Sequence, residues 1–167
     1  MFTQGTYEFM SKDLVDALWS SQSYLHSPVD DLESFYYTAQ WAAAFNDGAS
    51  RGKHDGGGIQ EFQEKISGDK RLSAIDDVRS RYPGFWERRE QEYGTFFVNS
   101  AALLRLWLGK LDILKADWPR LMDQAKGLED TKMKEHLTDN FLVYGYRGVA
   151  EYFEFIHEHR ASLEKVV

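Results

Sequence analysis

Apolar residues recur at spacings of three and four along nearly the whole chain, and no run alternates with the period of two that marks a half-buried strand. The first stripe, Leu14, Val15, Leu18, Trp19 and Leu25, predicts a helix from about Lys12 to His26. Ser11 stands at its N-cap and Asp13 in its first turn, where a carboxylate meets the positive end of the helix dipole. Ser27-Pro28-Val29-Asp30 is the clearest helix start: a hydroxyl at the cap, proline in the first turn, an acid three residues after the cap. Leu32, Phe35, Ala39, Ala42 and Ala43 are then expected to face inward, and Asn46-Asp47-Gly48 to stop the helix. Ile59 to Ile66 reads as a short helix closed by Gly68. Arg71 to Tyr82 reads as another, capped by Asp69 and broken by Pro83-Gly84.

From Phe85 to Leu108 the apolar residues are too many for one stripe, so this segment predicts a central helix of roughly 36 Å, buried on more than one side. Gly109 is expected to end it and Leu111–Leu114 to form a connector. Asp117-Trp118-Pro119 is expected to open a helix reaching Gly127. The last helix runs from Asp130 to about Lys165, with a break or kink expected near Tyr144–Arg147 because Gly145 and Gly148 lie there. No internal repeat interrupts this order. The expected fold is all-α: one domain over residues 1–167, an irregular antiparallel bundle of about seven helices, with a Gly-rich loop at 47–58.

Composition narrows the function classes. The chain has 167 residues and no cysteine, which removes disulfides, zinc-thiolate sites, iron–sulfur clusters and a cysteine nucleophile. Aromatic residues make up 15%, and each can bury much area in a helical core. A net charge of −7 argues against binding a nucleic-acid backbone. Residues 1–9 carry neither a basic nor an apolar leader segment, and no stretch is apolar enough to span a bilayer, so the default expectation is a cytoplasmic protein off the membrane. Phe2, Tyr7 and Phe9 are expected to pack that segment down.

The charge is uneven. Residues 1–50 carry a net −6, residues 51–110 a net +2, and residues 111–167 a net −3. The excess acid therefore lies on the first two helices. Beside Asp30, Asp31 and Glu33 stand Tyr36, Tyr37 and Trp41, and aromatics next to acids are common at protein-binding hot spots. These six residues are the expected contact set for a protein with a basic surface, against the plainer reading of a solvated face and a core edge.

Other constellations carry weaker signals. Gly48-Ala-Ser-Arg-Gly52-Lys53-His54 fails as a phosphate loop: its glycine spacing is one residue short, no hydroxyl follows Lys53, and no strand precedes it. Arg51, Lys53 and His54 remain candidate loop contacts to an anion or a partner. Arg105 and Arg147 sit among apolar residues, either snorkelling or ion-paired with acids such as Asp112 and Asp139, or anchoring an anion in a pocket. Glu154-x-x-His157 resembles half of a diiron bundle site, but no second Glu-x-x-His accompanies it, and His157 and His159 diverge around a helix. No Gly-x-Ser-x-Gly elbow is present. No catalytic residue, metal or cofactor is therefore expected. The expected function is a small, soluble, non-enzymatic protein acting by protein–protein interaction: a regulator, inhibitor or immunity-type protein. The alternatives are a helical small-molecule binder with an aromatic pocket and an arginine anchor, and a metal-dependent enzyme using Glu154 and His157.

Overall fold

The computed structural model describes residues 9–21, 24, 26–46, 57–68 and 70–166. Among them are eight helices and no strand, so the all-α class holds. They are α1 (Lys12–Ser20), α2 (Pro28–Phe45), α3 (Gly57–Ile66), α4 (Arg71–Ser80), α5 (Pro83–Glu87), α6 (Glu90–Tyr93), α7 (Thr95–Ala125) and α8 (Asp130–Val166). The centre of the bundle is α2, packed on α7, α8 and α3.

α1 starts as expected, with the Ser11 hydroxyl accepting the Leu14 N–H at 3.2 Å. It stops at Ser20, six residues early, because Ser21 turns into the left-handed region at φ 52°. Val15 and Ala17 are its buried residues, whereas Leu18 and Trp19 point outward. Phe2, Tyr7 and Leu25 lie outside the described residues. Expectation and structure agree at the start of α2. The Asp30 carboxylate accepts the Ser27 N–H at 2.6 Å and Pro28 occupies the first turn. The inward face of α2 differs from the expected one. Leu32 and Ala43 are buried and Ala39 is half-buried, but Phe35 and Ala42 are exposed. Tyr36, Tyr37, Gln40 and Ala44 fill the core instead. Of the expected loop, residues 47–56 lie outside the described residues, and Gly57 and Gly58 already belong to α3. The cap expected of Asp69 also falls outside them, and Lys70 stands at the N-cap of α4.

The largest correction concerns the central helix. It does not span 85–108. Gly94, at φ 81°, separates the short α5 and α6 from α7, in a backbone region that favours glycine. α7 then runs 31 residues, through Gly109, the expected connector and Pro119. A glycine costs a helix only about 1 kcal/mol, and burial of Leu108 and Leu111 on either side outweighs it. Pro119 is exposed, so the backbone bond it removes is lost at the solvent side. Its neighbour Trp118 holds the helix end by stacking on Tyr144, with ring centroids 5.2 Å apart.

The expected break in the last helix is also absent. α8 runs 37 residues through Gly145 and Gly148. A Cβ on Gly145 would lie 3.1 Å from Pro28 Cγ, and one on Gly148 would lie 2.8 Å from Leu32 Cδ1. The glycines do not interrupt α8, and they admit α2 at close range. A second aromatic cluster, Phe62, Trp86, Tyr93 and Phe97, ties α3, α5 and α6 to α7, with Phe62 and Phe97 centroids 4.7 Å apart.

Candidate functional site: an apolar groove on the central helix

The three long helices set the geometry of the site. Glu33 meets Lys115 and Tyr36 meets Trp107, so α2 and α7 run antiparallel. Gly145 lies by Pro28, Gly148 by Leu32, and Tyr152 stacks on Phe35, so α8 runs parallel to α2. α8 covers the α2–α7 seam along the first half of α2. Beyond Tyr152 and Ile156 none of the described residues covers the seam.

That opening is a groove of about 480 Å³. Its α2 side is Phe35, Thr38, Ala39, Ala42, Ala43 and Asn46, spaced by three and one along the helix. Phe96, Ser100, Leu103, Leu104 and Trp107 of α7 form the other side, and Tyr152, Phe155 and Ile156 of α8 close one end. Residues 35–46 span about 16 Å of helix, or three turns. The floor is small because alanines cannot fill the space between two helices, and the walls are large and aromatic. Among the described residues, the polar side chains on the lining, apart from the aromatic rims, are Thr38, Asn46 and Ser100, and the Ser100 hydroxyl donates to the Phe96 carbonyl at 2.8 Å.

The expected acidic contact set does not form one surface. Asp30 and Glu33 are 3% and 6% exposed, and Tyr36 and Tyr37 lie in the core. Tyr24 donates its hydroxyl to both carboxylate oxygens of Asp30, at 2.7 and 2.8 Å. Glu33 accepts the Tyr37 hydroxyl and, at 2.8 Å, the Lys115 ammonium, which also reaches Asp13 at 3.0 Å. Asp30 and Glu33 are hydrogen-bonded inside the bundle and are not presented on its surface. Asp31 is exposed beside His26, at 3.5 Å. Trp41 is half-buried, stacked on Phe45 and edge-on to Phe9. Burial, and then the Glu33 carboxylate, pushes the Tyr37 hydroxyl well above its ordinary range; burial and Asp30 do the same to Tyr24. Burial would lower the Lys115 ammonium, but Glu33 and Asp13 outweigh it and raise it.

The cationic candidates are also dispersed. Arg51, Lys53 and His54 lie outside the described residues. Arg105 is half-exposed on α7 and does not line the groove. Arg147 is exposed and ion-paired to Asp117 and Glu151, both at 2.7 Å, and those bonds raise its pKa. Of the two acids expected to hold it or Arg105, Asp112 instead binds Arg79 at 2.9 Å, and Asp139 is exposed on α8. Glu154 and His157 are exposed on α8, and among the described residues no three His, Asp or Glu side chains gather as a metal site would require. No described helix is long and apolar enough to cross a membrane.

Sequence reasoning missed the groove, although Ala39, Ala42 and Ala43 are its signal: small residues at helical spacing opposite large ones. It also missed a second feature, an uncovered apolar stripe on α8. No family model, curated protein or solved structure matches the chain at a significant level.

Proposed function

We propose that this is a non-enzymatic interaction protein whose groove between α2 and α7 receives an amphipathic helix of a partner protein. The groove itself carries the reading: it is open, apolar, three turns long, and floored by small residues that admit a helix bearing anchors at i, i+3, i+4 and i+7. The net charge of −7 favours a partner with basic residues flanking that apolar face. A cysteine-free chain suits a reducing compartment such as the cytoplasm. The small-molecule alternative shares the groove, whose volume is within the range of ligand pockets, but Arg105 and Arg147 supply it no anchor.

The test uses a fluorescent helical peptide of about four turns, with leucines on one face and lysines on the other. Micromolar binding is expected, weakened at least tenfold by Ala42→Arg, an exposed position on the groove lining that leaves the core intact. Binding that ignores Ala42→Arg would end the proposal. Direct binding of palmitate with no peptide binding would move the protein to the small-molecule class.

A further inference from the structure

α8 is apolar on two faces. Tyr144, Gly148 and Phe155 are buried against the bundle. About 150° round the helix, Leu142, Tyr146, Val149 and Phe153 follow at spacings of four, three and four. They are 54%, 75%, 44% and 64% exposed, and the exposed Val143 and Ala150 widen the stripe. A surface helix that packs on one side presents its polar residues on the other. Four large apolar residues in the register of a coiled-coil seam break that rule, and their spacing specifies the partner as another helix.

We propose that α8 pairs antiparallel with α8 of a second copy of this chain, about a two-fold axis passing between Arg147 and Gly148. The register follows from the sequence. Turning the stripe end for end about that point sets Leu142 opposite Phe153 of the second copy and Tyr146 opposite its Val149. Each seam position therefore meets its alternate, as antiparallel coiled coils require, and large side chains face smaller ones. The same operation sets Glu135, two turns before the stripe, opposite Arg160 of the second copy. Both are exposed, and Arg160 is held at 2.7 Å by Glu164 on its own helix. The two-fold axis makes this ion pair twice. One polar layer departs from the pattern: Asp139 faces Ile156 of the second copy, with His157 next to it. A parallel pair in register would instead stack Glu135 on Glu135 and Arg160 on Arg160, setting like charges together. Charge thus selects the antiparallel second copy over the parallel one.

This pairing meets the groove only at Ile156, which closes one end of it, and its readout is the mass of the particle in solution. Sedimentation equilibrium of the full chain at tens of micromolar should give a dimer. Val149→Glu, on an exposed position, should give a monomer with an unchanged helical spectrum. Glu135→Arg alone should set two guanidinium groups against each other in both symmetry-related pairs and weaken the dimer about tenfold. Arg160→Glu alone should do the same with two acids. The double swap should restore wild-type dimerisation. A monomer at all concentrations overturns the proposal, as does a dimer indifferent to Val149→Glu. Single swaps that weaken without rescue in the double variant overturn the antiparallel register.

Discussion

The two halves of α2 bury opposite things. Its first half, Pro28 to Tyr37, hides two carboxylates and two tyrosines, each carboxylate supplied with donors. Its second half, Thr38 to Asn46, leaves an alanine-rich stripe open to solvent beside α7. Hydropathy alone would reverse this assignment. What decides burial is what stands opposite. Where Leu32 and Tyr36 pack into the core beside α7, acids with partners are carried inside, next to a smaller cavity of about 310 Å³ lined by Tyr37, Leu108 and Lys115. Where the small Ala39, Ala42 and Ala43 stand opposite α7, no side chain among the described residues fills the gap, and a groove remains.

The sharpest way to break this contrast is Glu33→Ala. It leaves the Lys115 ammonium, whose side chain is 24% exposed, with Asp13 as its remaining acid at 3.0 Å, and leaves the Tyr37 hydroxyl without its acceptor. Breaking one side of a buried pair costs about 3–5 kcal/mol, and some solvent access at Lys115 places the expected loss near the lower end. Urea denaturation checks it, and a loss below about 1 kcal/mol would mean the pair is solvated. Adding Lys115→Met should recover much of the loss. The alkaline limb gives a second readout. Lys115 is raised in the fold above its ordinary 10.5, so the pair's stabilisation is fully present below that value and is lost as pH rises through the folded value. Tyr24 and Tyr37, also raised, act in the same direction. The melting temperature should therefore fall once pH passes about 10 to 11, and Glu33→Ala should flatten that fall.

How much of this was legible beforehand varies by element. The α2 start was readable because Ser27, Pro28 and Asp30 act locally, through their own backbone. The all-helical class was readable from periodicity over many turns. The extent of α7 was not, because Gly109 and Pro119 are local stop signals overruled by distant partners, Trp118 on Tyr144 and Leu111 in the core. Gly145 and Gly148 carry the same lesson, since a glycine in a helix marks either a bend or a close neighbour. The close neighbours here, Pro28 and Leu32, are distant in the sequence and could not be read from it. The burial of Asp30 and Glu33 was illegible for a related reason. Lys115, which consumes Glu33, lies 82 residues away in the sequence.

The seat of α8 on the first half of α2 offers a test of intermediate size. Gly148→Leu drives a side chain into Leu32, already 2.8 Å from an ideal Cβ, and overpacking of this kind costs about 1–3 kcal/mol. Gly109→Ala on α7 meets nothing within 4 Å and should instead stabilise by up to about 1 kcal/mol, through helix propensity alone. Opposite signs are expected from the two glycines. Stabilisation by Gly148→Leu would show that α8 sits away from α2 and that the groove extends along the first half of α2 as well.

The smallest expected effect is the most discriminating. Tyr36 and Tyr37 are neighbours in sequence, with ring centroids 5.7 Å apart, and both are buried. Their hydroxyls differ. Tyr37 donates to the Glu33 carboxylate, whereas the buried Tyr36 oxygen has no hydrogen-bond partner among the described residues. Removing a hydroxyl bonded to a charged acceptor costs about 1.5–3 kcal/mol, while removing an unpaired buried one relieves a desolvation penalty. Tyr37→Phe should therefore destabilise clearly. Tyr36→Phe should change stability by less than about 0.5 kcal/mol, or raise it. Both variants keep the ring, so the edge-on contact of Tyr36 with Trp107, at 5.9 Å, is unchanged and the comparison isolates the oxygen. Equal losses in the two variants would mean that Tyr36 has a partner of its own. The polar interior of α2 would then extend to the mouth of the groove, and the boundary between its two halves would have to move.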